Sequence, residues 1–205
     1  SLENGIPYTE ASVNQESQWP FKPDVIFSIY YRNIIKRHVI ESAGGRILNL
    51  HPSLLPKYRG CSSLTWAIIN GESQTGITYH YVTEGVDEGN VLLQAALPIY
   101  EHDTQADLYD RAMKKGLACF PGALELILAD WKGIPQEGVS SYFPRAVPFG
   151  GMIDPTWDDN RVARFIRALT KPPLPYPTLS GIEVKTFEQY QDIKKSLAIS
   201  SNPLS

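Results

Sequence analysis

Two side chains that can work together in catalysis stand one residue apart in the stretch RILNLHPSLLPKYRG, residues 46–60. The imidazole of His51 can accept and return a proton near neutral pH, and the amide of Asn49 can donate a hydrogen bond to an oxyanion. On a strand, both side chains point to one face, while Leu48 and Leu50 point to the other. Taken alone, the pair also fits a histidine that caps a strand end and an asparagine that starts a turn.

Asp87 is the third candidate, and it lies in the sequence EGVDEGN between Gly85 and Gly89. A turn of this kind can carry a carboxylate back toward the strand that holds His51. A carboxylate beside a histidine holds the ring in one tautomer and makes it more basic, as a general base requires. Without the histidine, Asp87 would be interpreted as a turn former. Together, the three residues predict an acyl-transfer site that has no side-chain nucleophile.

Three further residues are weaker candidates for contacts with a substrate. His80 lies in the middle of a predicted strand, where it is either a substrate contact or one polar position of an alternating pattern. Lys57 and Arg59 follow the Asn49–His51 strand and have the charge that binds phosphate, although surface charge is their default interpretation.

The elements that must position these residues are typical of an α/β protein. Residues 22–31 are apolar and aromatic and predict a buried strand, residues 33–45 have helical spacing and end in Gly-Gly, and the RILNLH run predicts the next strand. This is a βαβ unit, and it predicts a Rossmann-like, mainly parallel sheet whose carboxyl edge holds the ligand site. Further along, we expect helices over residues 62–72, 103–131 (kinked at Pro121) and 158–170, strands over 75–82 and 91–100, and a strand or hairpin arm over 182–191.

Composition excludes several classes of function. The chain has 205 residues and a net charge of −3, so no overall positive charge favours nucleic-acid binding. Cys61 and Cys119 lack the spacing of metal ligands, and we interpret them as reduced thiols of a cytoplasmic protein without a metal. No apolar run approaches the length of a membrane span.

Two motifs in the expected order resemble the folate-dependent formyltransferases. Members of this family carry Asn-x-His on a strand and an aspartate in a later, glycine-flanked loop, and Asn49, His51 and Asp87 match those three positions within NLHPSLLPKYRG and GITYHYVTEGVDEGNVLLQ. The runs FSIYYRNII and FGGMIDPTW, with His80 after Thr78, are similar to the nucleotide-sugar N-formyltransferases of the family. The C-terminal region is too short and too weakly basic for the tRNA-binding barrel that methionyl-tRNA formyltransferases append.

The resemblance implies a fold, a reaction and partners. The fold would be the formyltransferase fold, and the reaction would transfer the formyl group of N10-formyltetrahydrofolate to the amine of a nucleotide-linked amino sugar. The first candidate for the acceptor is dTDP-4-amino-4,6-dideoxyglucose, in surface polysaccharide biosynthesis. A homodimer, and no nucleic-acid, membrane or metal partner, would be expected.

The resemblance also implies roles for individual residues. His51 would move the proton, Asp87 would orient His51, and Asn49 would donate to the oxyanion. The folate would lie against two segments. The first contains Ser28, Ile29, Tyr30 and Tyr31, and the second contains Val82 and Gly85. The acceptor side would be formed by Ser53, Lys57, Arg59 and His80.

Family members begin with a βαβ segment ahead of the region that starts this chain. We therefore expect residues 1–133 to be a catalytic domain that lacks its first strands, followed by a linker, a helix and a small β region over residues 134–205. Three alternatives stay open: a formyltransferase of another amine (glycinamide ribonucleotide, UDP-aminoarabinose or methionyl-tRNA), a truncated nucleotide-sugar binder without activity, and a structural protein with a fortuitous motif.

Overall fold

A computed structural model of the protein describes residues 12–15, 23–170 and 174–200. The described strands are β1 (Ile26–Ser28), β2 (Ile47–His51), β3 (Arg59–Gly60), β4 (Gln74–Tyr81), β5 (Val91–Pro98), β6 (Tyr142–Phe143), β7 (Thr178–Leu179) and β8 (Ile182–Glu183). The described helices are α1 (Arg37–Ser42), α2 (Ser63–Ile69), α3 (Gln105–Leu128), α4 (Asp159–Ala168) and α5 (Phe187–Ser200).

A four-stranded sheet with the order β1-β2-β4-β5 forms the centre of the molecule. The expected βαβ unit is present, because β1 and β2 are parallel and α1 connects them. The described part of the sheet is mixed, since β4 runs antiparallel to both β2 and β5. Residues 82–90 connect β4 to β5, and a parallel crossover needs roughly a dozen residues or more.

Strand β2 is packed on both faces, and its polar residues Asn49 and His51 lie at its carboxyl end. Leu48 and Leu50 belong to the main core together with residues of α3. Helix α3 comes close to β2 at Gly116, where a Cβ atom would lie 2.7 Å from a methyl group of Leu50. Ile47, on the other face, packs against a smaller cluster from α1 that contains Val39 and Ala43.

Helix α1 begins four residues later than the pattern of residues 33–45 predicts and ends at Ser42. The side chain of Asn14 accounts for the late start, because its Nδ2 donates to the carbonyl of Ile34 (2.8 Å) and its Oδ1 accepts from the N–H of Lys36 (2.9 Å). These bonds hold the backbone extended up to Lys36, which has ψ of 158°.

Strand β1 is also shorter than predicted. Of the expected residues 22–31, only Ile26–Ser28 form a strand, and Lys22 lies outside the described residues. Tyr30 ends the extended backbone, because its φ of 56° is in the left-handed region.

The long helix α3 agrees with the sequence prediction in position and capping. The Thr104 side chain accepts from the N–H of Asp107, and the Asp107 carboxylate accepts from the N–H of Thr104, which is a capping box. The helix continues through Pro121 to Leu128. None of the helices in the described ranges is both long enough and apolar enough to cross a membrane.

The end of the chain differs from the predicted strand or hairpin arm over residues 182–191. Strands β7 and β8 form a short hairpin, and α5 begins at Phe187. Thr186 provides the start signal, because its Oγ1 accepts from the N–H of Gln189 (3.2 Å), while Gln189 Oε1 accepts from the N–H of Lys185 (2.8 Å). Tyr190, one turn into the helix, is buried in the main core.

Residues after 133 pack against the N-terminal half of the chain. Strand β6 pairs in parallel with β3, which brings residues 142–143 beside residues 59–60. Helix α4 packs on α2, and the Arg164 side chain donates to the carbonyl of Ile69 (3.2 Å).

An ion pair between the buried Asp103 and the partly buried Arg111 ties α3 to the end of β5. Asp103 is 6% exposed and accepts from the guanidinium of Arg111 and from the N–H of Tyr100 (2.6 Å). Burial opposes ionisation of Asp103, yet the Arg111 guanidinium and the Tyr100 N–H hold the pKa of this carboxyl below its usual range. The Arg167 side chain adds a bond to the Asp103 carbonyl (2.6 Å).

We expect Asp103→Asn to lower the free energy of unfolding at pH 7 by about 2 kcal/mol, because Arg111 loses a charged acceptor in a buried place. The ionised carboxylate stabilises the fold above the ordinary pKa of aspartate, so the difference from the wild type should shrink as pH falls through the lowered pKa of Asp103. Urea unfolding over a pH series measures both effects.

Asp130→Asn is the matched control, since Asp130 also pairs with a cation, Lys132, but on the surface. Asparagine tolerates the φ of 61° at this position. Equal losses in the two variants would contradict the importance of the buried pair.

Candidate active site

Asn49 and His51 lie side by side on β2, as the period of a strand requires. In the sheet, Asn49 is the register partner of Ser28 on one side and of His80 on the other. His51 is the last residue of the strand, and its side chain is almost completely buried. The amide and the imidazole therefore sit at the carboxyl end of β2, where β1 also ends.

The loop after β4 brings Asp87 to these two side chains. Asp87 Oδ2 lies 3.3 Å from His51 Nδ1, and Oδ1 lies 3.4 Å from Asn49 Nδ2. The N–H of Gly60 donates to Oδ2 at 2.8 Å. Asp87 has a φ of 54°, which is unusual for a residue other than glycine. The structure thus brings together the three residues that the sequence singled out.

A backbone carbonyl fixes the tautomer of His51. Its Nε2 lies 2.7 Å from the carbonyl oxygen of Tyr58. Since a carbonyl can only accept, Nε2 carries the hydrogen, and in the neutral ring Nδ1 is left without one. The nitrogen that can take up a proton is therefore the one that faces the Asp87 carboxylate.

The same reasoning fixes His80, which lies behind Asn49. His80 Nδ1 lies 2.8 Å from the carbonyl oxygen of Tyr81, so Nδ1 donates and Nε2 is free to accept. Asn49 Nδ2 donates to that Nε2 at 3.0 Å. His80 is 2% exposed, so in this structure it orients the Asn49 amide instead of lining the surface as a substrate contact.

The pKa values of His51 and Asp87 are both lowered, for different reasons. Burial lowers the pKa of His51 and outweighs the Asp87 carboxylate, which acts to raise it. Burial would raise the pKa of Asp87, but the rings of His80 and His51 and the Gly60 N–H hold that pKa below its ordinary value. The site is thus poised with a neutral imidazole beside an ionised carboxylate.

Of the residues predicted to face the acceptor, Ser53 and Arg59 are largely buried and Lys57 is exposed. The Ser53 side chain is fully buried, and its hydroxyl donates to the carbonyl of Lys57 (2.7 Å). Lys57 points outward and lies 3.7 Å from Glu72. Arg59 is mostly buried, with its guanidinium against Gln136 and 3.6 Å from Glu88.

The segments predicted to hold the folate border the site. Ser28 is buried beside Asn49, and Ile29 and Tyr30 follow it with about half of their side-chain surface exposed. Tyr31 and Val82 pack against the same small cluster around Ile47. Gly85 lies two residues before Asp87 and is partly buried.

Sequence reasoning missed the two backbone groups that hold the site in place, the carbonyl of Tyr58 and the N–H of Gly60. A Cβ atom at Gly60 would lie 2.2 Å from the carbonyl oxygen of Phe143, and its φ is 88°, so only glycine fits there. The glycine is visible in the sequence, but its role depends on the β3–β6 pairing with a segment 83 residues away.

Two large cavities lie outside the cluster. One of about 640 Å³ lies between the end of α1 and the loop 82–90 and includes Val82, and one of about 930 Å³ lies between α4 and the start of α5. Asn49, His51 and Asp87 line neither of them. Among the described residues, no group of three or more His, Cys, Asp or Glu side chains is arranged to hold a metal ion.

Comparison with protein families and curated proteins gives a consistent result. Residues 9–124 match the family model described as formyl transferase. The GDP-perosamine N-formyltransferase of Brucella melitensis is 39% identical over 186 residues, which cover 89% of this chain and 71% of that protein.

Solved structures show the same fold. The sugar 3N-formyl transferase WlaRD, determined in the presence of dTDP and 5-N-formyl-THF, has a TM-score of 0.69 and 30% identity, with 78% of this chain and 59% of that chain covered. The N-formyltransferase of Helicobacter canadensis, in complex with folinic acid and dTDP-3-aminofucose, has a TM-score of 0.65 and 26% identity, with 78% and 60% covered. The chain thus spans about three-fifths of the length of these two structures.

We expect Asp87→Asn to lower the pKa of His51 further, because it removes the one negative charge that favours the imidazolium. An NMR titration of the imidazole carbons measures the shift. Glu84→Gln is the control: it removes a carboxylate of the same loop that pairs with Arg37 at the surface, and it should leave the His51 titration as in the wild type. An unchanged or raised pKa of His51 in Asp87→Asn would contradict the assigned geometry.

Proposed function

The chain belongs to the formyl transferase family, and from that premise we propose that it transfers a formyl group from N10-formyltetrahydrofolate to the amine of a nucleotide-linked amino sugar. The observation that carries the proposal is the Asn49–His51–Asp87 cluster, which joins an amide donor, a neutral imidazole and an ionised carboxylate at one end of the sheet. The relatives support both substrates, since they include sugar N-formyltransferases that were crystallised with a folate and with dTDP or dTDP-3-aminofucose.

The residues around β1 fit a folate. N10-formyltetrahydrofolate supplies a formyl group on N10. Because Ser28 is the register partner of Asn49, residues 29–31 leave the sheet next to the Asn49 amide. Ile29 and Tyr30 offer half-exposed apolar surface, which suits a flat ring, and Val82 and Gly85 would complete the site from the Asp87 loop.

Asn49 stabilises the negative charge that forms when the amine attacks the formyl carbon. The lone pair of the neutral amine makes the new C–N bond, and the carbonyl electrons move onto the oxygen. One Asn49 N–H is held by His80 at 3.0 Å, while the other donates a long bond of 3.4 Å to Asp87 and would turn from that carboxylate to donate to the oxyanion. A donor of this kind typically lowers the activation free energy by about 3 kcal/mol.

His51 and Asp87 carry the proton. The attacking amine loses its proton to His51 Nδ1, and the imidazolium that forms lies between the Asp87 carboxylate and the Tyr58 carbonyl. The oxyanion then re-forms the carbonyl, the C–N10 bond breaks, and the proton returns to N10. In this scheme the Tyr58 carbonyl orients the ring, a role that the sequence assigned to Asp87, and Asp87 stabilises the charged form.

We expect His51→Ala to lower kcat about 100- to 10,000-fold and Asn49→Ala about 100- to 1,000-fold, since the first removes proton transfer and the second removes an oxyanion donor. Formation of tetrahydrofolate with a nucleotide amino sugar as acceptor provides the assay. His102→Ala, at an exposed histidine, is the control and should keep the wild-type rate. Undiminished transfer by His51→Ala would exclude the proposed role of the imidazole.

The identity of the acceptor can be tested by thermal shift. Sequence analysis favours dTDP-4-amino-4,6-dideoxyglucose, and the relative from Brucella adds GDP-perosamine. At 100 times its Kd, a true ligand stabilises the fold by about 2.7 kcal/mol. We expect a nucleotide amino sugar, and not glycinamide ribonucleotide, to raise Tm and to yield a formamide by mass spectrometry. A rise in Tm without formamide would instead identify a binding protein without activity.

A further inference from the structure

Gln136 is set apart from its neighbours in the connection between α3 and β6. It is the one partly buried residue in the run from Ile134 to Ser140, where the others are exposed. The run is anchored by Ile134, which exchanges two backbone hydrogen bonds with Val91 at the start of β5 (2.8 and 2.9 Å). Gln136 is thereby held beside the loop that carries Asp87.

The amide of Gln136 connects three backbone and side-chain groups. Its Nε2 donates to the carbonyl of Asp87 (2.7 Å) and to the carbonyl of Gly89 (2.8 Å). Its Oε1 accepts from Arg59 Nη2 (2.8 Å) and Nε (3.1 Å). Because carbonyls only accept and a guanidinium only donates, this arrangement admits one orientation of the amide.

We propose that Gln136 is a positioning residue that fixes the Asp87 loop, and with it the Asp87 carboxylate, against His51, and that Arg59 acts through Gln136 instead of binding the diphosphate of the acceptor. The expected effect on formyl transfer rests on the proposed function. The expected effect on the position of Asp87 against His51 is independent of that function.

The loop needs such a brace because Asp87 holds a left-handed backbone between two glycines. A non-glycine residue keeps a φ of 54° only where its surroundings over-determine it. The Gly60 N–H fixes the carboxylate, and Gln136 fixes the backbone on both sides of Glu88. With the second contact removed, the backbone can rotate and carry the carboxylate away from His51 Nδ1.

Few side chains can replace glutamine at this position. Glutamate has the same length but cannot donate to the two carbonyls, and lysine cannot accept from Arg59. Leucine keeps the approximate volume and makes none of the bonds. Gln136→Glu therefore removes the two donated bonds and keeps an acceptor for Arg59. Gln136→Leu removes the donated bonds and the contact with Arg59.

Arg59 contacts both Gln136 and Glu88, which suits a residue that orients Gln136. Its side chain is 18% exposed, and its guanidinium makes a forked contact with Gln136 Oε1 and lies 3.6 Å from Glu88. To bind a phosphate, it would have to leave the oxygen that orients Gln136.

The test is an NMR titration of His51 combined with steady-state kinetics of the full 205-residue chain. The charged and titratable groups that face His51 are Asp87 and His80, so a displaced Asp87 leaves His51 with less support for its charged form. We expect Gln136→Leu to lower the pKa of His51, and both Gln136→Leu and Gln136→Glu to lower kcat by about 100-fold with little change in either KM, since a displacement of about 1 Å has this effect on catalysis.

Gln94→Leu is the matched control. Gln94 is an exposed glutamine whose Nε2 likewise donates to two oxygens, the Leu55 carbonyl (2.8 Å) and Thr78 Oγ1 (3.0 Å), but neither belongs to the Asp87 loop. Gln94→Leu should lower Tm and leave the pKa of His51 unchanged. A loss of Tm in both glutamine variants with no shift of the His51 pKa in either would overturn the proposal.

A double-mutant cycle tests the part that concerns Arg59. If Arg59 acts through Gln136, Arg59→Ala lowers kcat and the His51 pKa in the wild type but adds little in the Gln136→Leu background. If Arg59 binds the diphosphate, Arg59→Ala raises the KM of the nucleotide sugar equally in both backgrounds, which would contradict the assignment. A wild-type chain without formyl transfer, whose His51 pKa still falls in Gln136→Leu, would refute the proposed function and leave the positioning role intact.

Discussion

The site depends on keeping one carboxylate ionised in a mostly buried place. Asp87 has two imidazole rings and an asparagine amide within 3.4 Å, and desolvation works against its charge. The Gly60 N–H at 2.8 Å is the shortest bond that its carboxylate makes in the described residues, and it comes from a backbone that has no side chain to interfere. The close pairing of β3 with β6 and the left-handed backbone of Gly60 aim this one N–H at the carboxylate.

The second requirement is that each neighbouring ring presents a defined nitrogen to the site. Two backbone carbonyls meet it, Tyr58 for His51 and Tyr81 for His80, and each fixes which nitrogen carries the hydrogen. A backbone acceptor cannot titrate, so these tautomers do not change with pH as they would beside a second carboxylate. As a result, His51 Nδ1 faces Asp87, and the Asn49 amide donates to His80 Nε2 and to Asp87 Oδ1.

The sequence predicted the parts of this site that depend on local periodicity. The alternation of β2 places Asn49 and His51 on one face, and the glycines around Asp87 mark its loop, so the three residues were found without the fold. It could not predict contacts that join segments far apart in the chain, because periodicity carries no information on them. Residues 58–60 meet residues 136–143 through the β3–β6 pairing and through the contact of Arg59 with Gln136, and the start of α1 depends on Asn14, 22 residues before Lys36.

The same long-range contacts change the interpretation of the basic loop after β2. From sequence, Lys57 and Arg59 are equivalent candidates for a phosphate contact, but the structure separates them. Lys57 pairs with Glu72 at 3.7 Å and is well exposed, and such surface pairs contribute little and exchange readily for another anion. Arg59 is instead built into the support of the Asp87 loop, where leaving its partners would disturb the carboxylate. Of the two cations, Lys57 is the one that can turn toward a phosphate without dismantling the site.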